Sequence, residues 1–340
     1  MKKQLRYFFL FILLCLFLLP LSSKPFQDHS NAYDFAISET FLKFLNDGHT
    51  IQPILKIKLL DRTKKVHSIS DDCEIHISGE PDMNLGDPTS IVVEPPNLCK
   101  ISPAGQQYDE GDSTKEWLTV IDQFKDKVCD VKGFPRIFTE HAQTGEASTA
   151  NPNHVFEIHP ALSIKSDNIE QSFNGYLKTF EKMRHITAST AASCIENRTL
   201  EIRYNKVDKQ YEFRENGGRC GNFIIVEVGY IMKESIRSTD GGHSVIARVS
   251  PDGKSRMTLK LYTLSESEAD TWLQNIETKG KVPSDRKLIL GLLTYDYFSI
   301  IRALEMPNGS WYQENKWKNV DWPLALVVFG ETEEVPWDEN

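Results

Sequence analysis

The sequence lacks the short motifs that identify several common classes of enzyme and metal-binding protein. It has no Cys-x-x-Cys pair, which argues against a zinc ribbon and against a thioredoxin-like redox site. It also has no His-Glu-x-x-His, no Gly-x-Ser-x-Gly, no P-loop and no Gly-x-Gly-x-x-Gly. The motif-defined metalloproteases, α/β-hydrolases and nucleotide-binding loops therefore do not describe this chain.

Basic residues are scarce as well. The 340 residues include 39 Lys and Arg against 48 Asp and Glu, which gives a net charge of −9. Three of the basic residues lie before residue 23, so the rest of the chain carries 36 basic and 48 acidic residues, a net charge of −12. Nucleic acids and anionic membranes are bound through clusters of Lys and Arg. We therefore expect no nucleic-acid partner.

The apolar run at the start of the chain is too short for a membrane-spanning helix. It covers residues 7–19, which is 13 residues, whereas a spanning helix needs about 20. Lys2, Lys3 and Arg6 precede the run and Pro20 ends it, a layout typical of a secretory signal peptide. We predict a signal peptide over residues 1–23, an extracytoplasmic location (periplasmic, secreted or cell-surface) and no transmembrane span after signal removal. An uncleaved leader that anchors the protein is the alternative.

Cysteine is sparse, with six residues, and Cys15 lies in the leader. Export permits disulfide bonds, and the odd number of remaining cysteines leaves at least one thiol unpaired or paired with another chain. Sequence alone leaves several pairings open. We predict Cys73–Cys99 and Cys194–Cys220, each closing a loop of about 25 residues and stabilising the fold by about 3 kcal/mol.

Five strand patterns and one helix pattern follow one another between residues 51 and 165. The strand patterns cover residues 54–60, 73–78, 90–94, 129–138 and 154–158, and the helix pattern covers residues 114–124. The helix falls between the third and fourth strands. This order is that of the five-stranded Greek-key barrel known as the OB-fold. We predict an OB-like five-stranded barrel over residues 51–165.

The segments on either side complete a β-rich (α+β) fold. Residues 24–50 are predicted as an N-terminal helical segment, with an amphipathic helix over 34–45. A second mainly-β domain is predicted over residues 166–340, entered by a bridging helix at 167–186, and another barrel is one of the folds that its strands could form. A later helix there begins with Ser265 as the capping residue and Glu268 in the capping-box position.

The tripeptide Glu-Ile-His occurs twice, at residues 74–76 and 157–159. On a strand, residues i and i+2 face the same side, so each tripeptide presents a carboxylate beside an imidazole. Two such pairs in one barrel could converge. Imidazole and carboxylate together suit Zn²⁺, Mn²⁺ or Fe²⁺, and they also suit general acid–base chemistry.

Residues 131–164 also resemble a stretch in uncharacterised exported bacterial proteins. That stretch has a Gly-rich turn with a His, then Asn, then Glu-x-His-Pro and an apolar strand. The same proteins have a D-x-D-x-H-L strand and a Glu-x-Pro near a Cys, matched here by residues 71–76 and 94–99. The resemblance covers about 100 residues and implies no activity. The positions that it singles out are His76, Glu94, His141, Asn153, Glu157 and His159.

Three functions remain open. The first is an exported binding or interaction protein whose ligand is a carbohydrate or another protein, with Asn153 and His154 among its ligand contacts. The second is a hydrolase that uses a divalent metal, Zn or Mn. Its metal ligands would be His76, His141 and His159, with Glu157 as ligand or base and Glu94 as an orienting catalytic residue. The third is a structural envelope protein, in which these side chains are paired with one another and closed to solvent.

Overall fold

The computed structural model describes residues 33–82, 90–109, 114–142, 148–217, 220–279 and 287–335. The predicted signal peptide lies outside these residues.

The chain enters the described fold as a strand rather than as the helix predicted over residues 34–45. Strand β1 (Tyr33–Ser38) is followed directly by helix α1 (Glu39–Asp47). The side chain of Ser38 accepts a hydrogen bond of 3.0 Å from the backbone N–H of Phe41 and so caps the helix. The prediction of one continuous helix was wrong because the apolar residues of this segment fit a period of two before the cap and a helical period after it.

A closed five-stranded barrel follows, as predicted. Its elements are β2 (Ile54–Arg62), β3 (Ile77–Pro81), β4 (Ile91–Val93), α2 (Lys115–Asp122), β5 (Val128–Ile137) and β6 (Phe156–Ser166). Around the barrel the order is β2-β3-β4-β6-β5 and back to β2. The β4–β6 pair is parallel and the other pairs are antiparallel. This is the OB-like order, with the helix between the third and fourth strands.

Alternation along β2 builds one wall of this barrel. Leu55, Ile57 and Leu59 are buried, whereas Ile54 is exposed. From α2 the buried Trp117 donates its indole N–H to the carbonyl of Ile101 at 2.8 Å. The apolar side chain therefore fills the core while its single donor is satisfied.

The bridging helix predicted over residues 167–186 does not form. Asp167 has a φ of 48° and turns the chain back, so that β7 (Ile169–Ser172) pairs antiparallel with β6. Helix α3 (Ala188–Asn197) comes later and is capped by Thr187. The polar residues at the start of this segment favour a turn, and the turn forms the hairpin even though the apolar residues that follow have helical spacing.

A hairpin joins the two halves of the molecule. Strands β8 (Thr199–Asn205) and β9 (Gln210–Asn216) pair with each other, and β9 pairs with the N-terminal β1. The second half continues as β10 (Phe223–Ile231), a 3-10 turn (Lys233–Ser235), β11 (Arg237–Thr239), β12 (Gly242–Ser250), β13 (Met257–Leu264), α4 (Glu268–Lys279), β14 (Lys287–Tyr295), α5 (Tyr297–Leu304), β15 (Lys318–Asn319) and β16 (Leu324–Glu331).

The second half forms another closed five-stranded barrel. Its order is β10-β12-β13-β16-β14 and back to β10, with a parallel β13–β16 pair and with α4 between the third and fourth strands. This repeats the order of the first barrel. The cap of α4 differs from the prediction, because Ser267 rather than Ser265 accepts the backbone N–H of Asp270, at 3.1 Å.

The two barrels pack through β5. Phe134 lies with its ring centroid 5.3 Å from that of Tyr262, and the hydroxyl of Thr294 donates to the carbonyl of Ile137 at 3.4 Å. No helix in the described part of the chain is long and apolar enough to cross a membrane.

Both predicted disulfides are confirmed. They join Cys73 to Cys99 in the first barrel and Cys194 to Cys220 between α3 and the segment before β10. Cys129 is a buried thiol that forms no disulfide with another described cysteine. Two disulfides indicate an oxidising, extracytoplasmic environment.

Candidate metal centre

Three adjacent strands of the first barrel bring a group of ionisable side chains together. Glu74 and His76 directly precede β3, Glu94 directly follows β4, and Glu157 and His159 lie near the start of β6. These strands are neighbours in the order β3-β4-β6. The five side chains belong to residues that are at most 4% exposed. These five residues, together with His154, which is buried beside them, are called the inner cluster below.

The two Glu-Ile-His tripeptides reach this cluster in different ways. Residues 157–159 lie on β6, so Glu157 and His159 face the same side, as expected. Residues 74–76 precede β3, which begins at Ile77 instead of residue 73 as predicted. Ile75 and Ile158 are both fully buried, so both tripeptides still place the isoleucine in the core and the polar pair in the cluster.

His159 lies among three carboxylates. Its Nε2 is 2.9 Å from Glu74 Oε1, and its Nδ1 is 2.6 Å from Glu94 Oε2 and 3.2 Å from Glu157 Oε2. Burial disfavours the charged imidazolium, but Glu74 and Glu94 outweigh it and hold the pKa of His159 well above its usual value. In the metal-free chain both ring nitrogens therefore carry protons.

Glu157 is flanked by two cations. Its Oε2 accepts from an Arg136 guanidinium N–H at 2.6 Å, and its Oε1 lies 3.0 Å from His154 Nε2. Burial would raise the pKa of Glu157, but Arg136 and His154 hold it well below its usual value. Arg136 also donates to the carbonyl of Leu293 at 2.9 Å and to the side chain of Asn222, both in the second half of the chain. The cluster thus lies where the two barrels meet.

Glu94 has no hydrogen-bond partner for either of its oxygens within the described part of the chain. Oε1 is 3.5 Å from His76 Nε2. Oε2 lies within 2.6 Å of His159 Nδ1, close enough for an ion pair but without the direction of a hydrogen bond. The buried Glu74 Oε2 and His76 Nδ1 also lack partners there. Buried polar atoms are normally hydrogen-bonded, so several ligand atoms of this cluster are able to bind a further partner such as a metal ion.

Burial and charge make the cluster retain protons at neutral pH. Burial raises the pKa of Glu74 to about 8, although His159 opposes the shift. Burial also raises the pKa of Glu140, at the edge of the cluster, to about 7 despite Arg136. At His76, burial is outweighed by Glu94 and Asp72, which raise the pKa to about 10. A divalent cation competes for the same atoms, because metal binding releases protons from its ligands.

A second group lies toward the surface. His67 Nδ1 is 2.7 Å from Asp72 Oδ1, and His76 Nε2 is 3.6 Å from Asp72 Oδ2. His67 and Asp72 are half-buried. Despite the burial of the Asp72 carboxyl, the two imidazoles hold its pKa well below the usual range.

Three sets of side chains could each hold a metal ion, since the ligand atoms within each set lie within 4.8 Å of one another. Every set combines imidazole nitrogen with carboxylate oxygen, a donor mixture that suits Zn²⁺, Mn²⁺ and Fe²⁺. The sets are Glu94, His154 and Glu157; Glu74, Glu94 and His159; and His67, Asp72 and His76.

The structure brings together five of the seven site residues proposed from the sequence: His76, Glu94, His154, Glu157 and His159. Glu94 belongs to two of the sets, although the sequence analysis assigned it an orienting role. His141 is half-buried, with ring centroids 5.7 Å from His76 and 5.2 Å from His154, and belongs to none of the sets. Asn153 is exposed.

Sequence reasoning did not select four further residues of the site: His67, Asp72, Glu74 and Arg136. Glu74 carried a usable signal, because it is the first residue of a Glu-Ile-His tripeptide. Asp72 also carried a signal, since it is one of the two adjacent aspartates in residues 71–76, the segment that resembles the D-x-D-x-H-L strand. Arg136 had none, since no motif links it to Glu157, 21 residues away, and its two partners in the second half are more than 80 residues away.

Comparison with protein-family models, with curated proteins and with solved structures finds no match to this chain. The fold and the site define a protein of two OB-like barrels, with a buried cluster of histidines and carboxylates at one end of the first.

Proposed function

We propose that this chain is an extracytoplasmic metal-binding protein whose first barrel holds one divalent transition-metal ion, Zn²⁺ or Mn²⁺, through Glu94, His154 and Glu157. The observation that carries the proposal is the carboxylate of Glu94. It is 1% exposed and neither oxygen accepts a hydrogen bond from the described residues. The imidazoles of His159 and His76 lie near it as ion pairs, at 2.6 and 3.5 Å, but they supply none of the directed bonds that normally satisfy a buried carboxylate. A metal ion bound to Glu94 would supply them.

The orientation of His154 supports the choice of this set over the other two. Its Nδ1 is 2.6 Å from the carbonyl oxygen of Pro152, which can only accept, so Nδ1 carries a proton. In the metal-free chain Nε2 carries the second proton of the imidazolium and donates it to Glu157 Oε1 at 3.0 Å. A metal ion between these two ligand atoms would replace that proton. A backbone carbonyl on the far ring nitrogen is also the usual partner of a metal-binding histidine.

The closed environment favours an ion that stabilises structure over one that performs catalysis. Structural sites are enclosed by protein ligands, whereas catalytic sites keep a position open to substrate. Glu94, Glu157 and His154 are at most 5% exposed. Because Arg136 links Glu157 to the second barrel, an ion on Glu157 would also hold the two barrels together, leaving their outer surfaces for a carbohydrate or protein ligand.

The test is metal content and metal affinity. The full chain, exported from an oxidising host with its own leader, is analysed by mass spectrometry for bound metals and titrated with Zn²⁺ and Mn²⁺ after chelation. We expect about one equivalent of metal and a rise in melting temperature on binding. Glu94→Gln keeps the shape of the side chain and should weaken binding by at least about 100-fold, beyond the effect typical of an outer-shell change.

The matched control is His49→Asn, which alters an exposed histidine outside the cluster and should bind as the wild type does. A wild-type protein that binds neither ion, or a Glu94→Gln variant with unchanged affinity, would overturn the proposal.

A further inference from the structure

We propose that the second barrel carries a serine hydrolase site made of Ser238, His243 and Asp270, which cleaves carboxylic esters. This inference is independent of the metal centre and uses none of its residues.

Two hydrogen bonds link the three side chains in the order that this chemistry needs. The hydroxyl oxygen of Ser238 lies 3.2 Å from His243 Nε2, and His243 Nδ1 lies 2.8 Å from Asp270 Oδ1. Ser238 is exposed, His243 is 8% exposed and Asp270 is 2% exposed. An accessible nucleophile, a mostly buried base and a buried carboxylate behind it are the three roles of a Ser-His-Asp triad.

The carboxylate sets which nitrogen of the histidine acts as the base. Asp270 Oδ1 also accepts a hydrogen bond of 2.7 Å from Thr263, and Oδ2 accepts one of 2.8 Å from Gln274. A carboxylate only accepts, so the proton of the neutral imidazole lies on Nδ1. The lone pair on Nε2 then faces the hydroxyl of Ser238, ready to take its proton.

The fold fixes the geometry from two directions. Ser238 and His243 are opposite each other in the β11–β12 hairpin, where a pair of side chains on neighbouring strands comes close. Asp270 lies in the first turn of α4, whose capping residue Ser267 binds its backbone N–H. The triad therefore rests on a hairpin and a capped helix, both of which belong to the second barrel.

The edge of the sheet gives an ester access to Ser238. Strand β11 is the last strand of its sheet in the described part of the chain, so the backbone on its outer side is not paired with another strand there. Backbone N–H groups on such an edge can donate to the carbonyl oxygen of an ester as negative charge develops on it.

The reaction proceeds in two balanced steps. The oxygen of Ser238 attacks the acyl carbon while its proton passes to His243 Nε2; the ester C–O bond breaks and the leaving alkoxide takes that proton. Water then attacks the acyl-serine, gives a proton to His243, and the carboxylic acid leaves as Ser238 recovers its hydrogen. Asp270 acts through His243 and is a positioning residue.

The experiment uses the full chain, a fluorophosphonate probe and p-nitrophenyl acetate. We expect covalent labelling of Ser238 and esterase activity that falls by at least about 100-fold in Ser238→Ala. The matched control is Ser189→Ala, which removes an exposed hydroxyl that has no histidine among its hydrogen-bond partners and should retain full labelling. The Ser238 side chain is exposed, so the variant should fold.

Asp270→Asn separates a catalytic arrangement from a structural one. It should lower kcat, leave KM unchanged and change the pH profile of kcat, and Asp270→Glu should restore part of the rate. The proposal would be overturned if the probe labelled Ser238→Ala as strongly as the wild type. It would also be overturned if the wild type showed neither labelling nor esterase activity above that of the heat-denatured chain.

Discussion

The partner of one ring nitrogen determines what the other nitrogen can do in both sites. In His154 the carbonyl of Pro152 fixes the proton on Nδ1, and in His243 the carboxylate of Asp270 does the same. In each ring the state of Nε2 then depends on the group that it faces. At His154 that group is a carboxylate, which favours a proton or a metal ion on Nε2, whereas at His243 it is a hydroxyl, from which Nε2 can take a proton.

The pKa shifts of the inner cluster predict how pH affects the metal-free protein. Glu74, with a pKa raised from 4.5 to about 8, and His76, with a pKa raised from 6.5 to about 10, bind protons more tightly in the folded chain than in the unfolded chain. Their stabilising contribution is present at low pH and is lost as pH rises through the folded pKa. Burial lowers the pKa of His141. This group therefore makes the folded chain more stable as pH rises, but it opposes the larger combined effect of Glu74 and His76.

We therefore expect the melting temperature of the metal-free protein, measured with chelator present, to decrease as the pH is raised from about 5 to about 10. Thermal unfolding followed by circular dichroism across this range measures it. A melting temperature that stays constant or rises from pH 6 to pH 9 contradicts the assignment of protons to the cluster.

The same substitution at two glutamates of the cluster should change the free energy of unfolding by very different amounts. Below pH 7 the Glu74 carboxyl holds its proton, so Glu74→Gln replaces one neutral group by another and should change the free energy of unfolding by less than about 1 kcal/mol. Glu157→Gln removes the carboxylate that pairs with the buried Arg136 and should cost about 3–5 kcal/mol. Urea unfolding at pH 6 with chelator present compares them, and equal losses would contradict the charge assignments.

At the level of the elements, sequence reasoning succeeded where one period fitted alone. The strand patterns of residues 54–60 and 129–138 and the helix pattern of 114–124 became β2, β5 and α2. It failed at β1 and at residues 167–186, where the apolar spacing fitted both a strand and a helix. The cap at Ser38 separates strand from helix in the first case, and the turn at Asp167 starts a hairpin in the second. Capping depends on which hydroxyl reaches a backbone N–H, and spacing in the sequence cannot distinguish Ser265 from Ser267.

The cap of α4 gives a prediction at the same scale. Ser267→Ala removes the side-chain acceptor of the Asp270 N–H and should cost about 1 kcal/mol of unfolding free energy. The control is Ser265→Ala, since the Ser265 hydroxyl accepts from Gln52 and does not cap the helix. Denaturant unfolding measures both, and a larger loss for Ser265→Ala would support the cap predicted from the sequence.

For the whole molecule, sequence reasoning predicted the first barrel, one disulfide in each half of the chain and a mainly-β second half. It did not predict that the second half repeats the strand order of the first, because strand patterns show where strands lie and not which strands pair. The candidate site was predicted in part for a related reason. Its Glu-Ile-His repeats are local signals, whereas Arg136 and its contacts with the second barrel depend on how the two halves pack.

The two disulfides should have different effects on metal binding. Cys73–Cys99 joins the segment that carries Glu74 and His76 to the segment that follows Glu94, so replacing both cysteines with alanine should weaken metal affinity as well as stability. The Cys194–Cys220 double alanine variant should lose a similar stability, about 3 kcal/mol, and keep its metal affinity. Calorimetric titration and urea unfolding of both variants test this, and equal metal affinities would contradict it.

The parallel pair that closes each barrel also sets an order of events while the chain is being made. In both barrels the closing strand is the last one in the chain: β6 for the first and β16 for the second. A chain that is synthesised from its N-terminus can complete the first barrel once residue 166 has emerged, whereas the second must wait for residue 331. Glu157 and its neighbours are thus assembled, and Arg136 is held without its contacts to Asn222 and Leu293, while the rest of the chain is still being made.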